Sequence, residues 1–454
     1  MSAPANPSAA NLMQTKDDLA LEQERKRRLH PQVLALREAL HRRFLEVVDL
    51  PAIRPEDIVN PRFRRHVEEL VDELLDEFQS QLPSMTTREE VKRDFLSETL
   101  GLGALDDLLA DEAVSEIMVL DRQTVYVERK GRIQLVPVGF GSDAALRSII
   151  ERIIMPLGRR VDESQPLVDA RLPDGSRVNI IIPPLALRGA AITIRKFSKT
   201  PYDLDQLRGF GALDSRMQRF LIRCVQARKN IIVSGGTGSG KTTLLNALSQ
   251  YIDRAERIIT IEDSAELRLL QPHVVRLETR PANFEGIGAF TIRDLVKNAL
   301  RMRPDRIVVG ECRGGESLDM LQAMNTGHDG SLTTLHANNP REAVSRLETM
   351  CLMADVELPA KAIRAQIVGA VHIIVQQSRF PDGSRRITDV SELVGLDDDG
   401  DVAINPLFQF DRHSAEVGAS RHDKVTGRFR ATGYVPSFIG EFYELGLIAA
   451  GEAF

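Results

Sequence analysis

Tryptophan is absent from this chain of 454 residues, and aromatic side chains make up only 5% of it. Proteins that hold single-stranded nucleic acid stack bases on aromatic rings along a basic groove. The formal net charge is −6, so the chain supplies neither a rich set of aromatics nor an overall basic field. We therefore do not expect nucleic acid as a partner.

Cysteine is scarce as well. The chain contains only Cys224, Cys312 and Cys351, and none of them belongs to a C-x-x-C pair. This spacing excludes a disulfide framework and a four-cysteine zinc module.

Long hydrophobic runs are also missing. The longest apolar stretches, such as 178–187, contain prolines and are far shorter than the ~20 residues that a helix needs to cross a bilayer. Residues 1–20 lack the apolar segment of a signal peptide. With 43% hydrophobic and 27% charged residues, the chain is expected to be a globular cytoplasmic protein of roughly three domains.

Changes in pattern along the chain predict its organisation. Apolar residues recur at helical spacing between 33 and 78, and Thr86 or Thr87 with Glu89 or Glu90 has the spacing of a helix-capping box. Short strand patterns joined by turns follow. The prediction is a disordered or frayed tail over 1–30, a small helical bundle over 31–100, an α+β domain over 101–200, a linker over 201–210 and an α/β domain over 211–454.

The last of these domains alternates strands with helices. Five strand candidates, most of them separated by helical patterns, are 231–234, 258–262, 274–277, 307–310 and 331–335. This alternation predicts an open, largely parallel sheet of the class that carries phosphate-binding loops.

A complete phosphate-binding loop follows the first of these strands. Its fixed positions are all filled, by Gly235, Gly236, Thr237, Gly238, Ser239, Gly240, Lys241 and Thr242, and Thr243 continues into a helix. Glycines let backbone N–H groups point at phosphates, and the helix N-terminus adds partial positive charge. Lys241 is expected to reach the β- and γ-phosphates, and the Thr242 hydroxyl to bind Mg²⁺. The sequence therefore predicts binding of a nucleoside triphosphate.

Carboxylates follow two other strands. Glu311 comes directly after 307–310 and is the candidate for the Mg²⁺ shell, directly or through water. Glu262 ends the strand 258–262 and Asp263 and Glu266 follow it, and like charges at this spacing make best sense beside a cation or an activated water. The residues alone leave open which of these carboxylates is the general base.

Histidines and arginines complete the candidate chemistry. His328 and His336 flank the strand 331–335, and because no cysteine or carboxylate completes a metal-ligand set, we interpret them as sensors of the γ-phosphate. In the preceding domain, arginines could be delivered to a phosphoryl group from outside the loop's own domain. The candidates are Arg171, Arg177, Arg188 and Arg195.

These motifs in this order resemble the type II/type IV secretion ATPase superfamily, most closely the CpaF-like ATPases of Tad (Flp pilus) systems. The resemblance runs from about residue 100 to about 395. It rests on the loop 235–242, the acidic box 260–266, the strand-end segment 307–313, the histidine box 327–336 and the earlier segments 103–105, 115–119, 125–131 and 169–179.

The resemblance implies a RecA-like P-loop ATPase domain, preceded by an α+β domain and a small helical bundle, in a homo-hexameric ring. ATP would lie between the two domains of a subunit, with Arg188 and Arg195 as the best candidates to reach its γ-phosphate and Arg171 and Arg177 behind them. Of the carboxylates, Glu262 is favoured to polarise the attacking water, and Glu266 is close behind.

The resemblance also implies ATP and Mg²⁺ as cofactors and inner-membrane platform proteins as partners, at the inner face of that membrane. The expected function is ATP hydrolysis that powers assembly, with retraction left open, of a Tad pilus or a related secretion system. The absent four-cysteine module and Ser264, where pilus-retraction relatives commonly have proline, favour the Tad branch. A RecA-like nucleic-acid motor and a slow nucleotide-gated scaffold are the alternatives.

Overall fold

The computed structural model describes residues 16–48, 60–129, 131–197, 201–280, 282, 287–354, 356–413 and 424–449. The chain divides into two compact units, 1–198 and 199–454. Of the predicted tail over 1–30, residues 1–15 lie outside the described residues, and the helix α1 (Lys16–Arg28) forms most of the rest.

The first unit begins with helices that pack on one another. After α1 come α2 (Pro31–Val47), α3 (Pro61–Glu77) and α4 (Arg88–Leu100). Their shared core contains Leu40, Phe44, Val71 and Phe95 among others. The predicted capping box is present at the start of α4, where the Thr87 hydroxyl accepts from the Glu90 N–H and the Glu90 carboxylate accepts from the Thr87 N–H.

The rest of the first unit is a six-stranded antiparallel sheet with two helices, as the α+β pattern predicts. Its strands are β1 (Val114–Asp121), β2 (Thr124–Arg129), β3 (Arg132–Val136), β4 (Leu167–Arg171), β5 (Arg177–Ile181) and β6 (Ala191–Arg195). They are ordered β3-β2-β1-β6-β5-β4. Helices α5 (Ala104–Ala110) and α6 (Asp143–Ile154) add Leu105, Ile149 and other apolar side chains to the core of the sheet.

The second unit contains a nine-stranded sheet with helices on both faces. Its helices are α7 (Leu204–Gly209), α8 (Ser215–Gln226), α9 (Lys241–Ser249), α10 (Ile292–Ala299), α11 (Glu316–Asn325), α12 (Pro340–Leu352), α13 (Ala360–Ala370) and α14 (Ile439–Glu444). Helix α7 lies within 201–210, the predicted linker, and its Leu204 and Leu207 are buried in the core of this unit.

The strands of this sheet are β7 (Ile231–Gly235), β8 (Ile258–Glu262), β9 (Val274–Glu278), β10 (Arg306–Val309), β11 (Leu332–Leu335), β12 (Ile373–Arg379), β13 (Arg385–Leu396), β14 (Val402–Arg412) and β15 (Gly427–Ala431). Their order is β15-β14-β13-β12-β7-β11-β10-β8-β9. The six strands from β12 to β9 in this order are parallel, and β13 to β15 are antiparallel additions.

The mixed α/β fold expected from the sequence is confirmed, and the five predicted strands match β7 to β11 to within a residue at each end. Strands β12 to β15 were not predicted. The central strands β7, β8, β10 and β11 are buried over their whole length, because helices cover both faces of the sheet. Within the described part of the chain, no helix is long and apolar enough to cross a membrane.

A buried arginine anchors the amino end of β10. Arg306 is 1% exposed, and its guanidinium donates to both carboxylate oxygens of Glu256, at 2.7 and 2.9 Å. It also donates to the carbonyl oxygens of Gly330 and Val225. Gly330 has φ +81°, and any Cβ there would collide with the guanidinium, so the turn before β11 is shaped around this side chain.

Arg306→Met should lower the free energy of unfolding of the second unit by about 3–5 kcal/mol, because it removes the buried guanidinium that binds Glu256 and the carbonyl oxygens of Gly330 and Val225, and leaves Glu256 only its half-exposed pair with Arg228. Urea denaturation followed by circular dichroism measures the change. The control is Arg208→Met, whose ion pair with Asp205 is exposed and should contribute about 0.2–1 kcal/mol. Equal losses in the two variants would contradict a special role for the buried arginine.

Candidate active site

Four parallel strands end at one edge of the second unit's sheet. The phosphate loop follows β7, Glu262 ends β8, Glu311 comes just after β10, and His336 directly follows β11. These strands are neighbours in the order β7-β11-β10-β8, so their carboxyl ends meet at the same edge. The structure thus brings together the loop, the acidic box and the histidine box, which the sequence placed in separate segments.

The phosphate loop is a tight turn that only glycine can form at two positions. Gly238 has φ +71° and Gly240 has φ +98°, both in the left-handed region. Gly240 is also the N-cap of α9, so Lys241, Thr242 and Thr243 form the first turn of that helix. The N-terminus of a helix and the backbone N–H groups before it favour an anion at this point.

Lys241 lies back against its own loop. Its side chain is largely buried, and its ammonium donates to the carbonyl oxygens of Gly235 and Gly236 at 3.1 and 3.2 Å. The same nitrogen lies 3.3 Å from Nδ1 of His336. A phosphate group in the loop would offer this ammonium a charged acceptor in place of neutral carbonyl oxygens.

His336 lies between Lys241 and Glu311. Its Nε2 is 2.8 Å from Oε1 of Glu311, and the other oxygen of Glu311 accepts from Arg313 at 2.8 Å. Burial, together with the ammonium of Lys241, lowers the pKa of His336, so the ring is neutral at neutral pH. A neutral ring carries one N–H and one acceptor nitrogen, so it can lie beside both the ammonium of Lys241 and the carboxylate of Glu311.

Glu262 is 3% exposed and shapes the acidic box. Its Oε1 accepts from the backbone N–H groups of Glu266 and Leu267 at 2.8 and 2.9 Å. A Cβ at Gly310 would come within 2.9 Å of its Cγ, so a glycine at the end of β10 gives this side chain its space. The box is joined to Glu311 through Arg313, whose Nη1 lies 3.7 Å from Oδ2 of Asp263.

The oxygen ligands at this edge are of the kind that hold Mg²⁺ in nucleotide-binding sites. Thr242 supplies a hydroxyl at the start of α9, and Glu311 supplies a carboxylate that is 19% exposed. Among the described residues, no group of three or more histidine, cysteine, aspartate or glutamate side chains could hold a metal ion. An ion bound here would therefore take its other ligands from phosphates and water, as Mg²⁺ usually does.

Not every predicted residue lies at this edge. His328 precedes the amino end of β11, whose four residues span about 13 Å, whereas His336 follows its carboxyl end. It contacts the carbonyl oxygen of Ala323 instead. The reading of His328 as a second phosphate sensor is therefore wrong, because the two histidines flank opposite ends of one strand.

The four candidate arginines belong to the first unit. Arg188 lies in the loop before β6 and pairs with Asp121 at 2.9 Å. Arg195, on β6, stands opposite Arg177 on β5, which in turn stands opposite Arg171 on β4. Directly opposite residues share a face of an antiparallel sheet, so these three arginines form a row from which Arg188 is absent.

Sequence reasoning missed the residues that support the phosphate loop from the side. Strand β12 pairs with β7, and the hairpin between β12 and β13 brings Arg379 and Arg385 beside Gly238. The segment 381–383 reads as a turn in the sequence. Nothing there indicates that the turn lies against a loop more than 140 residues earlier.

Comparison with known proteins gives the family. Residues 98–392 match the family described as "Type II/IV secretion system protein". A putative conjugal transfer protein of Mycobacterium tuberculosis is 36% identical over 74% of this chain and 96% of its own. The type IV secretion system protein PtlH of Bordetella pertussis is 39% identical over 50% of this chain and 75% of its own.

The chain is also similar to solved structures. The VirB11 ATPase of the Brucella suis type IV secretion system is 31% identical, with 63% of this chain and 95% of that chain covered at a TM-score of 0.36. The pilus retraction motor PilT is 21% identical, with 65% and 83% covered at a TM-score of 0.47.

The family match includes the six-stranded sheet of the first unit and the loop, acidic box and histidine box of the second. Because the match spans well over half of the sequence, the chain belongs to the type II/IV secretion system protein family and is one of its ATPases.

Proposed function

We propose that this ATPase is the motor of a Tad (Flp) pilus or a closely related secretion system, and that it hydrolyses ATP to drive pilus assembly. The observation that carries the proposal is the gathering of Lys241, Glu262, Glu311 and His336 at one edge of the sheet. In this proposal the loop 235–242 with Thr243 binds the phosphates, and Thr242 and Glu311 hold Mg²⁺, which neutralises phosphate charge when bound.

Hydrolysis needs a group that polarises the attacking water, and we assign this role to Glu262, with Glu266 as the second candidate. Glu262 is the better candidate because it is buried and held rigidly by two backbone N–H groups. A carboxylate that is already held in a fixed position loses little conformational entropy when it orients a water molecule. Glu266 is half-buried in the loop that Glu262 holds.

His336 is assigned as the sensor of the γ-phosphate. It contacts both Lys241 and Glu311, so any movement of the ammonium toward a phosphate changes the surroundings of a ring that also lies against the Mg²⁺-shell carboxylate. The presence of a phosphate in the loop would then be sensed directly by His336 and Glu311, at the ends of β11 and β10.

Arginines of the first unit are proposed to complete the site when ATP is bound. Arg195 is favoured over Arg188, because Arg188 pairs with Asp121, whereas Arg195 lies in a cross-strand row with Arg177, Arg171 and Glu116 in which arginines outnumber the carboxylate. A γ-phosphate that attracts this row would couple hydrolysis to movement between the units, which is how binding energy becomes mechanical work.

The wider setting is part of the proposal. A homo-hexameric ring on inner-membrane platform proteins, at the cytoplasmic face, would turn these movements into pilus assembly. Relatives named for conjugal transfer and type IV secretion support work at a membrane. Ser264 and the missing four-cysteine module support the Tad branch.

Lys241→Ala should abolish ATP turnover, because it removes the ammonium that faces the β- and γ-phosphates, while the unfolding midpoint stays close to that of the wild type. Phosphate release measures turnover. Lys297→Ala, at a half-exposed lysine on α10 of the same unit, is the matched control and should keep wild-type turnover. Full turnover by Lys241→Ala would rule out this loop as the site of ATP hydrolysis.

Glu262→Gln should reduce kcat by about 10²- to 10⁴-fold with little change in KM, because it keeps an oxygen for the two backbone N–H groups but removes the negative charge. Glu266→Gln, measured in parallel by steady-state kinetics, should have a much smaller effect. If the loss appears in Glu266→Gln and not in Glu262→Gln, the assignment of the two carboxylates is reversed.

Cells that carry only Lys241→Ala should lack Flp pili on electron micrographs, and wild-type protein supplied in trans should restore them. Normal pili in these cells would contradict a motor role and favour a nucleotide-gated scaffold. Loss of conjugal transfer with pili intact would move the chain from the Tad branch to a conjugation system.

A further inference from the structure

The hairpin between β12 and β13 packs against the outside of the phosphate loop. Nε of Arg385 donates to the carbonyl oxygen of Gly238 at 2.8 Å, and the Cδ of Arg385 would lie 3.3 Å from a Cβ at Gly240. Arg379 is paired with Arg385 across the hairpin, and its Nη1 would lie 3.1 Å from a Cβ at Gly238. Both guanidinium groups therefore lie beside Gly238, and the aliphatic stem of Arg385 lies beside Gly240.

The hydrogen bond from Arg385 fixes the direction of a peptide group. In a trans peptide the C=O and the following N–H point in opposite directions, so a Gly238 carbonyl turned out toward Arg385 turns the Ser239 N–H inward. The Ser239 N–H indeed points to the carbonyl oxygen of Gly236, across the loop, at 3.3 Å. Inward N–H groups are the ones that a phosphate would accept from.

The glycines of the phosphate loop make it necessary to fix the orientation of this peptide group. Gly236, Gly238 and Gly240 give the loop the close backbone approach that phosphate binding needs, but glycine also allows many other conformations. The hydrogen bond from Arg385 to the Gly238 carbonyl oxygen restricts the orientation of one peptide group before any ligand binds. This is preorganisation, which raises affinity by lowering the ordering cost of binding.

The hairpin is itself well anchored. Phe380 N donates to the carbonyl oxygen of Ser384, and Asp382 accepts from the N–H groups of Ser384 and Val425 at 2.9 and 2.8 Å. The far side of the hairpin is thus tied to the segment before β15. A rigid support of this kind can impose an orientation on a flexible glycine loop.

We propose that Arg385 is a positioning residue for nucleotide binding: it holds the Gly238–Ser239 peptide in the orientation that accepts the phosphates of ATP and ADP, and Arg379 adds positive charge beside it. This inference rests on the proposed role of the loop as the ATP site. Arg385 acts through the backbone, so it supports ground state and transition state alike, and its loss should raise KM far more than it lowers kcat.

The test compares Arg385→Met with Arg385→Lys. Methionine keeps the aliphatic stem beside Gly240 but has no donor, whereas lysine restores a charged donor. We expect Arg385→Met to weaken ADP binding, measured by calorimetry, and to raise the KM for ATP by about tenfold or more, as loss of a charged hydrogen bond does. Arg385→Lys should recover most of the affinity.

Arg386→Met is the matched control. Arg386 is the next residue of the same strand and therefore points to the opposite face, where it donates to the carbonyl oxygen of Val425 and stacks on Phe410. It should leave the affinity for ADP unchanged, even where the unfolding midpoint falls slightly.

Wild-type ADP affinity in Arg385→Met, or equal losses in the Arg385 and Arg386 variants, would overturn the inference while leaving the ATP site in place. A wild-type chain that binds no ADP would overturn the proposed site instead. Arg385→Leu, which also has no donor, is made in parallel. If neither donor-free variant keeps the wild-type unfolding midpoint, the arginine is a structural residue and the inference fails.

Discussion

The parallel pairing of β7, β11, β10 and β8 is the constraint on which the rest of this site depends. Parallel strands end at the same edge of a sheet, so one pairing pattern places the phosphate loop, His336, Glu311 and Glu262 side by side. The strands are buried on both faces, which resists any shift in their register. The chemistry of the site is thus built on the most rigid part of the second unit.

Charge is balanced along this edge in a continuous chain of contacts. Lys241 contacts His336, His336 contacts Glu311, and Arg313 joins Glu311 to Asp263. Each partly buried charge has a partner of opposite sign or a polar neighbour, which limits the cost of desolvation. A triphosphate brings several negative charges into this arrangement, so its binding cannot leave the contacts unchanged. The same chain of contacts that stabilises the site thereby makes it responsive.

Much of the site could be predicted because its residues follow strands. Gly235 to Thr242, Glu262, Glu311 and His336 each come just after a buried apolar run, and the alternation of strands and helices predicts a parallel sheet. The same reasoning failed for His328, which stands at the opposite end of its strand, and it gave no account of β12 to β15. It named Arg188 and Arg195 together, and their surroundings in the first unit differ: Arg188 pairs with Asp121, while Arg195 stands opposite Arg177 and Glu116.

The sequence by itself determined where the phosphate-binding loop lies and which strand-end segments carry the candidate carboxylates and histidine, because glycine spacing and strand periodicity are local properties. Only the tertiary structure decided what surrounds the loop. Arg385 reaches Gly238 across 147 positions of chain, and Arg306 holds Glu256 across 50. Such contacts depend on the order of strands in the sheet, which places β12 beside β7, and no local pattern of residues encodes that order.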